Sequence, residues 1–304
     1  MPSNSKVYTV VALTLAAGAG CNMARFAANQ SAGMFKEASK SLDQEADLAL
    51  AREAAPGLIK TIDGMALVSP HNTTLLMLSA QAYCSYAFGF LEDDLEAMKE
   101  DDPRFEPLRK RTTSLYRRCE EYGLALLAES DDAFPAAAQR DANTLSAAVK
   151  KLDEDAVPGL FWTGLALASQ VNLNRDDMAL VAELPKVEIY MNRVVELKPD
   201  YYNAGAHLAL GLVYSSQAKA LGGNPEKGRQ HLDEAIRLTG GKFLLNRVML
   251  AHIYAVTVQD KTLYRSTLEQ VLKTPADVWP DQRLANELAH RKAERYLKQT
   301  EDLF

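Results

Sequence analysis

The chain has 304 residues, 47% of them hydrophobic and 24% charged. This is the composition of an ordinary globular protein with one large domain or two medium ones. Its 12 Pro and 16 Gly exclude collagen-like and low-complexity character, and 3 Cys are too few for a disulfide-framed fold. A net charge of −6, with Arg109-Lys110-Arg111 as its one basic run, excludes a general nucleic-acid binder.

The first element reads as a leader. Residues 1–20 carry Lys6 as their only charge, then an apolar run Val7 to Leu15, then small residues from Ala16 to Gly20, and Cys21 follows. That order is an export signal, and its apolar run is too short to span a bilayer. Small residues directly before a Cys resemble the bacterial lipoprotein signal, in which the chain is cut before the Cys and its thiol is acylated. The usual pattern has Leu three residues before the Cys, where Gly18 stands here. Asn22, rather than Asp, resembles the outer-membrane default of Gram-negative lipoproteins. The expectation is a signal peptide over 1–20 and one all-helical domain over 21–304, attached to a membrane only through lipid on Cys21. A plain secreted protein is the alternative.

The rest reads as helix after helix, with no convincing strand series. The predicted spans are 24–50, 54–68, 72–98, 105–129, 131–139, 142–151, 156–171, 176–197, 203–221, 225–239, 242–257, 260–272 and 281–300. Pro70, Pro199 and Pro275 each follow an amphipathic run and stop it, because the imino nitrogen has no hydrogen to donate and the ring clashes with the preceding turn. Gly240-Gly241 supplies positive φ at another helix end. Asn224-Pro225-Glu226 starts a helix with a cap and a first-turn proline. Cys84 and Cys119 both fall in apolar helical pattern. Two free buried thiols are the preferred reading, with a disulfide as the alternative in an oxidising compartment.

Between Asn203 and Gly240 the chain resembles a tetratricopeptide repeat. Leu210-Gly211 and Tyr214 take first-helix positions, and Gly228, Leu232 and Ala235 take the small–large–small positions of the second helix. The link through Lys219 to Lys227 is longer than in an ideal repeat. Leu76–Gly89, Trp162–Ser169 and Phe243–Tyr254 read as first helices of further degenerate units. The expected fold is therefore all-α, an irregular superhelix of tetratricopeptide-like hairpins.

Three stretches of predicted helix, Ser69–Leu91, Ala156–Asn174 and Tyr201–Ala218, contain no Asp, Glu, Lys or Arg. Their neighbours over 105–129, 183–198 and 225–239 are strongly charged on one face. One layer of helices is therefore covered on more than one side while the other meets water. The charge-free helices carry aromatic and neutral polar groups suited to a small, partly apolar ligand. The candidate ligand-binding residues are Tyr83, Tyr86, Phe90, Trp162, Tyr202, Asn203, His207 and Tyr214. Interior packing of these side chains is the competing reading.

Chemistry-bearing motifs are missing. The five His form no His-Glu-x-x-His pattern, and no Cys-x-x-Cys occurs. Asp93-Asp94, Asp101-Asp102 and Asp131-Asp132 read as solvated caps. Gly240-Gly241-Lys242 lacks the first glycine of a phosphate loop. No catalytic residue, metal or cofactor is expected.

Five quoted elements carry a family resemblance. They are Cys21-Asn22-Met23-Ala24; Ser85-Tyr86-Ala87-Phe88 with Phe90; Val157-Pro158-Gly159-Leu160-Phe161-Trp162; Leu221-Gly222-Gly223-Asn224-Pro225-Glu226-Lys227-Gly228 with Leu232 to Lys242; and Arg283-Leu284-Ala285-Asn286, Arg291-Lys292-Ala293 and Asp302-Leu303-Phe304. In this order the chain resembles the T component (TatT) of tripartite ATP-independent periplasmic (TRAP) transport systems over nearly all of Cys21 to Phe304. The resemblance implies a periplasmic lipoprotein with cryptic tetratricopeptide-like repeats, a homotrimer, and docking to the periplasmic solute-binding P component. It also implies a cleft or pore that passes a small hydrophobic or organic-acid molecule. The alternative is a tetratricopeptide-like protein–protein scaffold that handles no small molecule.

Overall fold

A computed structural model describes residues 5–216 and 222–304, with side chains from residue 23 onward. The expected leader, the acylation site at Cys21 and part of the Lys219–Lys227 link lie outside what is described at that level. Among the described residues there is no strand, and the fold is all-α.

The helices run in chain order as α1 (Ser5–Asp43), α2 (Leu48–Val68), α3 (Thr73–Tyr86), a π segment (Ala87–Glu92), α4 (Asp93–Ala97), α5 (Phe105–Ser130), α6 (Phe134–Ala138), α7 (Ala142–Val149) and α8 (Val157–Leu173). They continue as α9 (Met178–Val181), α10 (Leu184–Leu197), α11 (Tyr201–Ser216), α12 (Pro225–Leu238), α13 (Leu244–Met249), a second π segment (Leu250–Ala255), α14 (Lys261–Lys273), α15 (Arg283–Lys298) and α16 (Thr300–Leu303).

The punctuation acts as its chemistry requires. The Asn224 side chain accepts the Lys227 amide at 3.0 Å to cap α12. Gly240 and Gly241 take φ of 58° and 69° just after that helix. Two boundaries differ from the predicted ones. The first predicted helix stops at Asp43 because the Asp47 carboxylate accepts the Ala49 and Leu50 amides at 2.8 and 3.1 Å and opens α2 at Leu48. Pro56 then lies inside α2, not near its start. The predicted 176–197 helix is split into α9 and α10.

Close-packed helix pairs build the layers. In α11 and α12 the packing is antiparallel. A Cβ on Gly211 would sit 2.6 Å from Leu232 Cγ, and one on Gly228 would sit 2.2 Å from Ser215 Oγ. This hairpin uses the small and large residues read from the sequence. Its first helix buries Leu210 and Tyr214 and its second buries Leu232 and Ala235.

Cys84 and Cys119 form a disulfide, with Cα atoms 5.6 Å apart. This corrects the preferred expectation of two free thiols. Antiparallel packing of α3 on α5 brings the two residues level, a juxtaposition that apolar pattern alone does not reveal. Among the described residues, the rod Thr73–Ala97 is long and apolar enough to cross a membrane, but 67% of its most apolar window is buried within the protein, as in a core helix.

The apolar interior forms three clusters. One joins α2 to α8 with α10 and α11, one lies among α13 to α15, and one is shared by α1, α2 and α3. The candidate site lies where these clusters meet.

Candidate functional site

A cavity of about 740 Å³ is walled by α1, α2, α3, α8, α11, α15 and both π segments. All three charge-free helices contribute. The wall is predominantly apolar, with Leu58, Ile59, Leu165, Leu208, Leu212 and Leu288 among its residues. Both π segments face this space, through Phe88, Gly89, Phe90 and Glu92 from the first and His252 and Ile253 from the second. A π turn fits one extra residue into the helical turn and re-aims the side chains after it, and such turns are frequent at functional sites.

Four of the eight predicted residues come together on this wall: Tyr86, Phe90, Trp162 and Tyr202. Tyr86 and Phe90 have ring centroids 5.5 Å apart. Tyr202 meets Trp162 edge-to-face at 4.6 Å, and its hydroxyl lies 3.1 Å from Ser85 Oγ, bridging α11 to α3. An unusual backbone aims Tyr202. Tyr202, Asn203 and Ala204 have φ of 45°, 59° and 59°, one left-handed turn at the start of α11. For residues with a Cβ this costs about 1–2 kcal/mol each. Asn203, a fifth predicted residue, lies in that turn off the wall. Its amide donates to Gln282 Oε1 at 2.9 Å, and Gln282 does line the cavity. Gly205 follows. A Cβ there would sit 2.7 Å from the Phe161 ring, so its absence lets α11 approach α8.

The other three predicted residues are not brought to the cavity. Tyr83 faces α5, where its ring stacks on Tyr122 at 6.1 Å beside the Arg118 guanidinium. His207 and Tyr214 share one face of α11, as their spacing requires, but that face packs on α12. His207 Nδ1 lies 3.0 Å from His231 Nδ1. The Tyr214 hydroxyl donates to Glu188 at 2.8 Å and accepts from Lys227 at 2.7 Å. These groups are committed to holding helices together.

Sequence reasoning missed the ionisable groups on the wall: Asp43, Glu92, Glu96, Arg175 and His252. Burial pushes Asp43 up to about 6. It pushes Glu92 up to about 7, against the Tyr116 hydroxyl that donates to Glu92 and the charge of Lys292. Burial lowers His252 to about 4, so its imidazole is neutral at pH 7. That ring stacks flat on Tyr296 at 3.9 Å, and its Nδ1 has no hydrogen-bond partner among the described residues.

Behind Glu96 lies a buried ionic cluster. Lys292, fully buried, donates to Glu96 at 2.6 Å and lies 3.6 Å from Asp93. Arg295 reaches Asp93 at 2.8 Å and Glu96 at 2.5 Å. Burial opposes ionisation of Glu96, but Lys292, Tyr296 and Arg295 outweigh it and hold the carboxyl below its usual value. Asp93 is thus a buried ion-pair partner, not the solvated cap expected from its place in an acidic doublet. Its carboxylate is turned toward α15, about two hundred residues along the chain, which local pattern could not disclose. Among the described residues no group of three or more His, Cys, Asp or Glu is arranged to hold a metal ion.

A family model described as "TAtT: TRAP transporter T-component" matches residues 44–304. The chain belongs to the TRAP transporter T-component family. It is therefore an accessory subunit of a TRAP transporter, and membership implies a periplasmic or membrane-associated location. A curated protein of Treponema pallidum (strain Nichols), described as an uncharacterized protein, is 21% identical over 262 residues. The match covers 84% of this T component and 79% of that relative.

The position of Glu92 makes the stability of this T component depend on pH. Its folded-state pKa of about 7 lies above the ordinary 4.5. Between those values the folded chain holds more protons than the unfolded one, so stability falls as pH rises through that window. Glu92→Gln is expected to reduce the difference in unfolding free energy between pH 5 and pH 8 by about 2–3 kcal/mol, as read by urea unfolding.

Proposed function

We propose that this T component takes a small, largely apolar molecule into its cavity and exchanges it with the periplasmic solute-binding P component. In this reading it acts as a homotrimer held at the outer membrane by lipid on Cys21, and it performs no catalysis. The observation that carries the reading is the cavity itself. Its volume lies within the roughly 300–1,000 Å³ typical of small-molecule pockets, and all three helices that lack charge contribute to its walls. Tyr86, Phe90, Trp162 and Tyr202 are the proposed ligand contacts. Asn203 acts through Gln282, while Tyr83, His207 and Tyr214 serve helix packing. A pure scaffold would be expected to have a filled interior and an open groove for a peptide, and a cavity of this size favours ligand handling instead.

Native mass spectrometry of purified protein tests the proposal, because it reads bound small molecules and subunit number together. The expected result is a trimer that retains a small molecule. The double variant Ala168→Trp/Ala209→Trp, which fills the cavity from α8 and α11, is expected to lose the added mass and keep its subunit number. Wild-type spectra free of any small molecule, even after incubation with apolar compounds, would contradict ligand handling.

A further inference from the structure

The chemistry of the ligand can be read from which charges around the cavity are already paired. At the end of the cavity beneath α15, Asp93 and Glu96 are matched by Lys292 and Arg295, with Asp93 and Lys292 buried and Glu96 and Arg295 half-buried. Arg291, 42% exposed, approaches Asp93 from the solvent side at 3.4 Å. Glu92 is left over. It is 8% exposed and lines the cavity. One of its oxygens accepts the Tyr116 hydroxyl, and its other oxygen accepts no hydrogen bond among the described residues. Lys292 is the cation whose charge reaches it, and Lys292 is committed to Glu96.

The remaining wall repeats the imbalance. Asp43 is also acidic, His252 is neutral, and Arg175 is exposed and bonded to Asn172. A ligand carboxylate would meet the carboxyl groups of Glu92 and Asp43, neither of them in an ion pair among the described residues, and among those residues no uncommitted buried cation, which carries the cost of an unpaired buried charge. A cationic nitrogen would find the free oxygen of Glu92 and the aromatic rings of Tyr86, Phe90 and Trp162, whose π systems attract cations.

We propose that the ligand of this cavity is an apolar molecule bearing a cationic, hydrogen-bond-donating nitrogen, and that Glu92 is the carboxylate that receives it. This rests on the reading of the cavity as a ligand site and names the ligand class for it. The raised pKa of Glu92 accords with a carboxyl that lacks a counter-charge until the ligand supplies one.

Three probes of one chain length separate the possibilities: octylammonium, octanoate and 1-octanol, titrated calorimetrically into the whole protein at pH 7.5. Octylammonium is expected to bind at least about tenfold more tightly than octanoate. Glu92→Gln keeps the shape and the acceptor for Tyr116. It is expected to bring the two within about twofold while 1-octanol binding stays unchanged. Asp43→Asn, near Tyr202, should leave most of the preference intact. Equal or tighter binding of octanoate by wild type, or a preference that survives Glu92→Gln, overturns the proposal and leaves the cavity reading standing. Failure of all three probes to bind overturns the cavity reading and this proposal with it.

Discussion

Lys292→Ala is expected to destabilise the protein by about 3–5 kcal/mol, the range for removing one partner of a buried ion pair. Lys292 is fully buried, and its loss leaves Arg295 to balance both Glu96 and Asp93 where the two bases now share them. The double variant Lys292→Met/Glu96→Gln should recover much of that loss, because it removes the charge that the single variant leaves unpaired. The size of that recovery in denaturant unfolding is the coupling between the two groups. A single-variant cost below about 1 kcal/mol would mean that water reaches the cluster and screens it. The stake extends beyond stability, since Lys292 and Arg295 tie α15 to α4 and thereby close the end of the cavity that holds Glu92 and His252.

Loss of the disulfide should have an effect of comparable size. Cys84 and Cys119 close a loop with a sequence separation of 35. Loop-closure entropy of that length corresponds to about 3–4 kcal/mol of stabilisation. Cys84→Ser/Cys119→Ser is expected to lower Tm by about 5 °C in calorimetry for a chain of this size. Reduction of the wild type should reproduce the shift, and a reducing agent should leave the double variant unmoved. Cys84 also lines the cavity, so the cross-link holds the α3 wall against α5 beside that space.

Much of the fold was legible because its signals are local. Pro70, Pro199 and Pro275 mark helix ends that the structure keeps, and Asn224 and Gly240-Gly241 bound α12 with the chemistry their side chains dictate. The absence of charge from three helices pointed to walls covered on both sides, and α3, α8 and α11 all border the cavity. The site itself was half legible. Aromatic content on a charge-free helix singled out Tyr86, Phe90, Trp162 and Tyr202, which line the cavity, but it could not say which face of the helix met that space. Tyr83, His207 and Tyr214 lie on faces that pack on α5 and α12.

The ionisable wall was hidden for a different reason. Glu92 and Asp93 adjoin in sequence, yet the π segment and the start of α4 send them to different surroundings, one into the cavity and one toward α15. A π turn has no sequence signature that hydrophobic periodicity can detect. His252 enters by the same device in the second π segment. The left-handed turn at Tyr202 to Ala204 flanks Asn203 with Tyr and Ala, which seldom adopt positive φ, so the sequence did not mark it.

Trp162 gives the most direct measurement of the central claim, that the cavity admits a small apolar molecule. The chain has 2 Trp, so Trp279→Phe leaves Trp162, on the cavity wall, as the sole tryptophan reporter. Titration of that variant with 1-octanol is predicted to shift the Trp162 emission saturably. Adding Ala168→Phe and Ala209→Phe to fill the space should abolish the saturation. A response that is linear in 1-octanol, and the same whether or not the cavity is filled, would contradict the account.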